Sequence, residues 1–327
     1  MQIPQYQEDS IFLSSVKKQG NYYKGFFFNF DVWLSLDITV LHMENKEVQL
    51  INVDTVLRSK AGGMYKFIPG ALIRYLERIV HQEEINEALL GMRHLEGLEF
   101  VESALIDNFG LEIEVINPEN LPSDGRYIVA SNHPLGGLDG MALMHVIGKT
   151  RRDLKFVSND ILMELHNMRD LFIAVNKHGR TNIELVRKLE ADFASDMLIL
   201  IFPAGLVSRR QGGRIMDLEW KKTFISKALQ HERDIVPVYI EGRNSNFFYN
   251  LANWRKRLGI KVNIEMLYLP DEMFRQQNKK LRIHFGKAVP YSTFTKDLTH
   301  QQWAQRMKKH VYALPGAGPD VEFRADL

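Results

Sequence analysis

The rhythm of apolar and polar positions changes near residue 110. Before it, apolar residues recur at helical spacing: Leu72, Ile73, Leu76, Ile79 and Val80 share a face, with Arg74, Glu77 and Arg78 opposite. Pro69 suits the first turn of that helix. A second helix is predicted through Glu84 to Leu90, and a third with Leu98, Val101 and Leu105 stops near Gly110. Such a prelude either packs on the C-terminal part of the chain or rests on a bilayer surface; its recurring glutamates favour packing.

After Gly110 the pattern becomes strand–helix alternation. Leu111–Val115 alternates as a half-exposed strand does. Short apolar runs then occur at Tyr127–Ala130, Leu154–Val157, Leu171–Val175, Met197–Phe202 and Ile235–Ile240. Helical stretches separate them, for example Ile183, Val186, Leu189 and Phe193. Further strands are expected near Val262–Leu267 and Leu281–Phe285, then a helix through Trp303. The pattern predicts an α/β fold: a mainly parallel, mixed sheet flanked by helices and preceded by a helical segment. Met197–Phe202 is continuously apolar, as a central strand buried on both faces should be. Pro237 inside its apolar run marks an edge or an interrupted ladder. The organisation expected is an N-terminal extension (1–64), a helical segment packed on the core (65–110), an α/β unit (111–314) and a tail (315–327). Within the extension, Gly25–Trp33 is dense in aromatics without clean periodicity. It is either a packing or membrane-contacting segment, or translation begins at Met43.

The 327 residues, 45% apolar and 25% charged, can bury a sizeable core, and a net charge of +2 gives no global field for nucleic acid. With no cysteine, disulfides, thiolate metal sites and cysteine nucleophiles are excluded. No run of about eighteen apolar residues suggests a membrane span, and Met1–Ser10 does not read as a signal peptide. A cytoplasmic location is the default.

Chemistry concentrates in Asn132-His133-Pro134-Leu135-Gly136-Gly137-Leu138-Asp139-Gly140. A proline and two glycines between His133 and Asp139 favour a tight turn, entered from a strand and left by a helix. The carboxyl end of a strand is where α/β folds place their sites, and a histidine held by a carboxylate is a competent general base. The plainer reading is a turn with a capping aspartate. Three later segments also come directly after predicted strands. Lys177 and Arg180 sit in a loop ahead of a helix that could hold an anion, or is simply solvated. Phe202-Pro203-Ala204-Gly205 turns out of the buried strand towards Ser208, Arg209 and Arg210. Pro237 precedes Asn244 and Ser245, which could cap the next helix. Arg255-Lys256-Arg257, beside Trp254, is a solvated helix face or a contact for anionic headgroups. His145, on the helix after the His133 motif, reads as a packed or surface histidine, and His81, His94, His166, His231 and His284 lack metal-ligand spacing, so no metal is expected.

Taken in order, Asn132-His133 with Asp139, the basic loop through Arg180, the Phe202-Pro203-Ala204-Gly205 turn with Ser208 and Arg209, and the Val236-Pro237-Val238 strand resemble the lysophospholipid acyltransferase superfamily. The chain looks most similar to its hemolysin-like bacterial branch, which includes aminolipid O-acyltransferases, over Tyr65 to Val289. The resemblance implies transfer of a fatty acyl group from a thioester to a lysolipid hydroxyl, with His133 as general base and Asp139 orienting it. It implies a substrate-binding group of Lys177, Arg180, Phe202, Pro203, Gly205, Ser208 and Arg209, with Arg180, Ser208 and Arg209 on the acceptor's anionic headgroup. No bound cofactor and no metal are implied; the donor is acyl-acyl carrier protein or acyl-coenzyme A. The partners expected are a lysolipid and a membrane surface, placing the protein peripherally on the inner face of the cell membrane. The His–Asp spacing is one residue longer than the commonest form, and Ala204 stands where a glutamate is usual. The latter leaves room for a lyso-aminolipid rather than lysophosphatidate. The alternatives are an inactive lipid-binding scaffold and a hydrolase in which His133 and Asp139 activate water.

Overall fold

The computed structural model describes residues 38–43, 46–159, 166–175, 183–316, 318 and 321–323; the aromatic segment Gly25–Trp33 lies outside them. An antiparallel hairpin, β1 (Ile38–Met43) and β2 (Lys46–Ile51), leads into α1 (Val53–Ala61). The Asn52 side chain caps α1 by accepting from the Thr55 amide at 2.8 Å. α2 (Gly70–Ile79) starts one residue later than expected, with Pro69 at the N-cap. α3 (Gln82–Gly91) and α4 (Gly97–Glu102) come next, and α4 continues as a π-helical turn to Asn108. Leu76, Ile79 and Val80 of the predicted apolar face are buried, each contributing about 1.5–3 kcal/mol of hydrophobic stabilisation. They pack with Val53 and Leu57 of α1.

From Glu112 strands and helices alternate. In chain order they are β3 (Glu112–Ile116), β4 (Tyr127–Ser131), α5 (Gly137–Gly148), β5 (Leu154–Asn159), β6 (Phe172–Val175), α6 (Ile183–Ala194), β7 (Leu198–Ile201), a small hairpin of β8 (Arg209–Gln211) and β9 (Arg214–Met216), α7 (Thr223–His231), β10 (Asp234–Ile240), α8 (Asn246–Arg257), α9 (Leu269–Phe274), β11 (Lys280–Phe285) and α10 (His300–Ala313). Seven strands form one sheet in the order β3-β11-β10-β4-β7-β5-β6. All neighbours are parallel except β10 and β11, which makes the sheet mixed and mainly parallel, as the sequence predicts.

Both faces of the sheet are covered. Val129, Leu200 and Val238 meet helices α3, α4 and α5 on one side. Ile128, Ile199 and Ile235 meet α6, α7 and α10 on the other. Alternate residues therefore enter different cores, which is why β4, β7 and β10 read as unbroken apolar runs.

One expectation is corrected. Val262–Leu267 is not a strand: Ile264–Tyr268 forms a 3-10 turn. Its alternating pattern imitates a strand, but Glu265 is fully buried and paired to Arg209 (3.1 Å) and Arg255 (2.8 Å), and those contacts fix the turn. Pro237 does not mark an edge, since β10 lies between β11 and β4. It does coincide with an interrupted ladder. Pairing with β11 ends at Val238–Phe285 and returns only at the Ile235–Val289 bridge, one residue out of step. The proline, lacking an N–H, sits in that bulge, and its carbonyl accepts from the Gly286 amide at 2.8 Å.

Candidate active site

β4 is the middle strand of the sheet, and its carboxyl end delivers Asn132 and His133. Asn132 is buried, and its side chain behaves as a strand residue would. Its Oδ1 accepts from the Ile240 amide (2.7 Å), and its Nδ2 donates to the Ile240 carbonyl (2.9 Å). The end of β10 is thereby held beside the turn. The His133 backbone is gripped from both sides: its N–H donates to Asp217 Oδ1 (3.2 Å), and its carbonyl accepts from the Ser208 amide (2.7 Å).

The turn then reverses into α5. Gly136 has φ 92° and ψ −135°, backbone space that side-chain-bearing residues avoid. This reversal brings Asp139, in the first turn of α5, back to His133. Asp139 Oδ2 lies 2.9 Å from His133 Nδ1 and also accepts from the amides of Leu135 (2.8 Å) and Gly136 (3.0 Å). The extra residue in the His–Asp spacing is accommodated in this loop without loss of the contact.

A carboxylate oxygen that already accepts two amides is an acceptor towards the imidazole as well. Nδ1 therefore carries the proton, and Nε2 presents its lone pair. No described residue hydrogen-bonds Nε2, and the His133 side chain is 17% exposed, so the lone pair is open to an incoming group. The ring lies flat on Phe202 (centroids 4.1 Å apart, planes at 11°). Phe202 is braced edge-on by Phe156 at 5.3 Å. Burial pushes the Asp139 carboxyl up, opposed by the imidazole and by the two amides. The N-terminus of α5 also favours negative charge there. Asp139 Oδ1 has no partner among the described residues.

The Phe202-Pro203-Ala204-Gly205 turn comes directly after β7. The Gly205 amide donates to the Phe202 carbonyl (3.0 Å), with Gly205 at φ 66°. Ala204 is buried among the apolar side chains of the second core. Lys221, exposed, donates its backbone N–H to the Pro203 carbonyl (3.1 Å). Its Nζ would lie 3.4 Å from a Cβ built on Gly205, so the ammonium stands over the turn.

Of the expected substrate-binding residues, Phe202, Pro203 and Gly205 therefore border the dyad. Ser208 and Arg209 do not present themselves to a headgroup. Ser208 Oγ donates to Asp217 Oδ1 (2.6 Å). The Arg209 guanidinium is buried against Glu265, donates to the Val207 carbonyl (2.8 Å) and lies over the Phe248 ring. Burial pushes it down, opposed by Glu265. Both side chains have their polar atoms committed inside the protein, and both brace the site from behind. Lys177 and Arg180 lie outside the described residues.

Sequence reasoning missed Asp217. It is fully buried, and it gathers the His133 amide, Ser208 Oγ and Trp220 Nε1 (2.8 Å). Its own amide donates to Tyr312 Oη (2.7 Å) on α10. The sequence offers both Asn244 and Ser245 as caps of the next helix. Ser245 is the cap of α8, while Asn244 Nδ2 holds the Pro134 carbonyl at 3.1 Å. Among the described residues no group of three metal-ligating side chains occurs. The arrangement is a histidine–carboxylate pair with one nitrogen free to take a proton from an incoming hydroxyl.

A family model described as "Acyltransferase" matches residues 55–316. A lyso-glycine lipid O-acyltransferase of Phocaeicola vulgatus is 46% identical over 280 residues, spanning 85% of this chain and all of that protein. One of Bacteroides thetaiotaomicron is 48% identical over 273 residues, spanning 83% of this chain and all of that protein. The crystal structure of the 1-acyl-sn-glycerophosphate acyltransferase PlsC from Thermotoga maritima superposes with a TM-score of 0.44 at 16% identity, over 68% of this chain and 80% of that one. With its model matched across most of the chain and the His133–Asp139 pair in place, this protein belongs to the acyltransferase family.

Proposed function

We propose that this acyltransferase moves a fatty acyl group from an acyl thioester to the hydroxyl of a lyso-aminolipid of the glycine type. The observation that carries the reading is the free Nε2 of His133 opposite a fully buried Asp139. Nε2 takes the proton of the acceptor hydroxyl as its oxygen attacks the thioester carbonyl. Asp139 holds the tautomer and stabilises the imidazolium that forms. The tetrahedral intermediate collapses by breaking the C–S bond, and the departing thiolate recovers the proton from His133. No enzyme-bound acyl group is required.

The names of the relatives and the buried Ala204 support an amino-acid lipid as acceptor. Such a headgroup ends in a carboxylate, and the Lys221 ammonium over the Gly205 turn suits it. Lys177 and Arg180 are the further cations expected to reach it. Acyl carrier protein and coenzyme A thioesters present the same reacting carbon, so either serves this chemistry. None of the described helices is long and apolar enough to cross a membrane. We place the enzyme peripherally on the inner face of the cell membrane, where the lysolipid acceptor partitions.

The test is acyl transfer with radiolabelled acyl-acyl carrier protein and acyl-coenzyme A, offered with lyso-glycine lipid, lyso-ornithine lipid and lysophosphatidate in parallel. Product on lyso-glycine lipid that falls at least about a thousandfold in His133→Ala is expected. Full turnover by His133→Ala would overturn the mechanism, and preference for lysophosphatidate would overturn the acceptor.

A further inference from the structure

Nine large apolar side chains are exposed among the described residues, and their distribution is uneven. Four of them, Met64, Phe67, Leu72 and Tyr75, lie on α2 and the 3-10 turn before it (Gly62–Phe67). Three more, Phe247, Trp254 and Leu258, lie along α8 and its end; Trp254 is 66% and Leu258 72% exposed. Their spacing, seven and then four residues apart, puts the three on one helical stripe.

The two segments are 170 residues apart in sequence but adjoin in space through Tyr268. Phe247 meets the Tyr268 ring edge-on at 4.9 Å, and the Tyr75 and Tyr268 hydroxyls are 2.7 Å apart. Their charge is mainly positive, with Glu77 the one carboxylate on α2 and its 3-10 turn. Residues 55–76 and 242–264 contain no aspartate or glutamate. On the α8 side Lys256, Arg257 and Lys261 are exposed and have no carboxylate partner among the described residues. Exposed aromatic and aliphatic side chains ringed by unpaired cations match the interfacial layer of an anionic bilayer.

The patch also borders the catalytic turn. Leu269, next to Tyr268, packs against Gly136, 3.4 Å from where a Cβ would stand. Leu135 packs on Gly242 just ahead of α8, and Asn244 holds the Pro134 carbonyl. We propose that α2 with its 3-10 turn and α8 together form a docking face for an anionic phospholipid bilayer, seating the His133 turn at the lipid surface. Its use, delivery of a lysolipid to His133, rests on the function proposed above.

The experiment is sedimentation of the full chain with phosphatidylcholine vesicles, with and without phosphatidylglycerol. It is run for wild type, for Trp254→Ser with Leu258→Ser, for Lys256→Glu with Arg257→Glu, and for Ile106→Ser, an exposed apolar residue elsewhere. Wild type is expected to partition onto phosphatidylglycerol vesicles, with a blue shift of tryptophan emission that the Trp254 variant lacks. The apolar and charge-reversed pairs should each weaken partition at least about tenfold. They should keep the wild-type melting temperature and wild-type turnover of a short-chain, water-soluble acceptor. Ile106→Ser should bind as wild type does. The face is not a bilayer contact if the apolar pair binds normally or if Ile106→Ser weakens binding equally. Nor is it one if wild type is a dimer that the apolar pair dissociates without change in vesicle affinity. His133→Ala separates the two ideas: it should bind vesicles fully while losing turnover, and turnover that survives it sinks the chemistry and leaves the docking face standing.

Discussion

At the scale of single residues, the site sets two buried carboxylates around one histidine. Asp139 faces the imidazole, and burial raises its carboxyl. A group raised in the folded state contributes stability below its unfolded value and loses it as pH rises through the folded one. The contribution of the Asp139 carboxyl to stability therefore falls as pH rises. Asp139→Asn should keep or raise the melting temperature while lowering kcat roughly a thousandfold, because the imidazole loses its tautomer. Calorimetry and steady-state kinetics on one preparation check both halves. Asp217 acts on the backbone of His133 rather than on its ring. Asp217→Asn keeps the shape but leaves one of the converging donors, the His133 amide, Ser208 Oγ or Trp220 Nε1, facing an NH2 group. It should lower kcat about ten- to a hundredfold with little change in KM, at a stability loss of about 1–3 kcal/mol. Parallel losses in kcat and stability without any KM-against-kcat split would make its role structural only. His133 and Asp139 were legible because six residues and two glycines put them in one turn. Asp217 was not, because two of its partners, His133 and Tyr312, lie 84 and 95 residues away.

At the scale of elements, α5 carries Asp139 at one end and His145 near the other. His145 is buried, and burial holds its imidazole below the ordinary 6.5, helped by Lys149 and opposed by Glu102. The unfolded chain takes up this proton before the folded one does, so stability is full above about 6.5 and falls as pH drops below it. The slope from one histidine is at most about 1.4 kcal/mol per pH unit. Denaturant titrations from pH 7.5 to 5 should show that decline and a flatter one in His145→Gln; identical slopes would rule the histidine out. The helical and strand periods of α2, β4, β7 and β10 were legible because one partner face, or two apolar ones, dictates the pattern. The Ile264–Tyr268 turn was not, because the Glu265 pairing to two arginines from other elements overrides an alternating sequence. The same pairing took Arg209 out of reach of a headgroup, which no local reading of Ser208-Arg209 could foretell.

At the scale of the whole molecule, the sheet lies between the two cores, and the site stands where α5, the β7 turn and the loop before α8 converge on its carboxyl edge. The fold class was legible from strand–helix alternation. The order of the strands was not, since apolar runs carry no address for their neighbours. That order has a consequence for synthesis. β3 is the first strand of the sheet to be made, yet its one neighbour is β11, completed at Phe285. Until then β3 is stranded, and β10 lacks the partner on that flank. The nascent chain must carry β3 unpaired from Ile116 until Phe285 and the flank of β10 open from Ile240, and a ribosome-bound chain arrested before Lys280 would present both to chaperones or to one another.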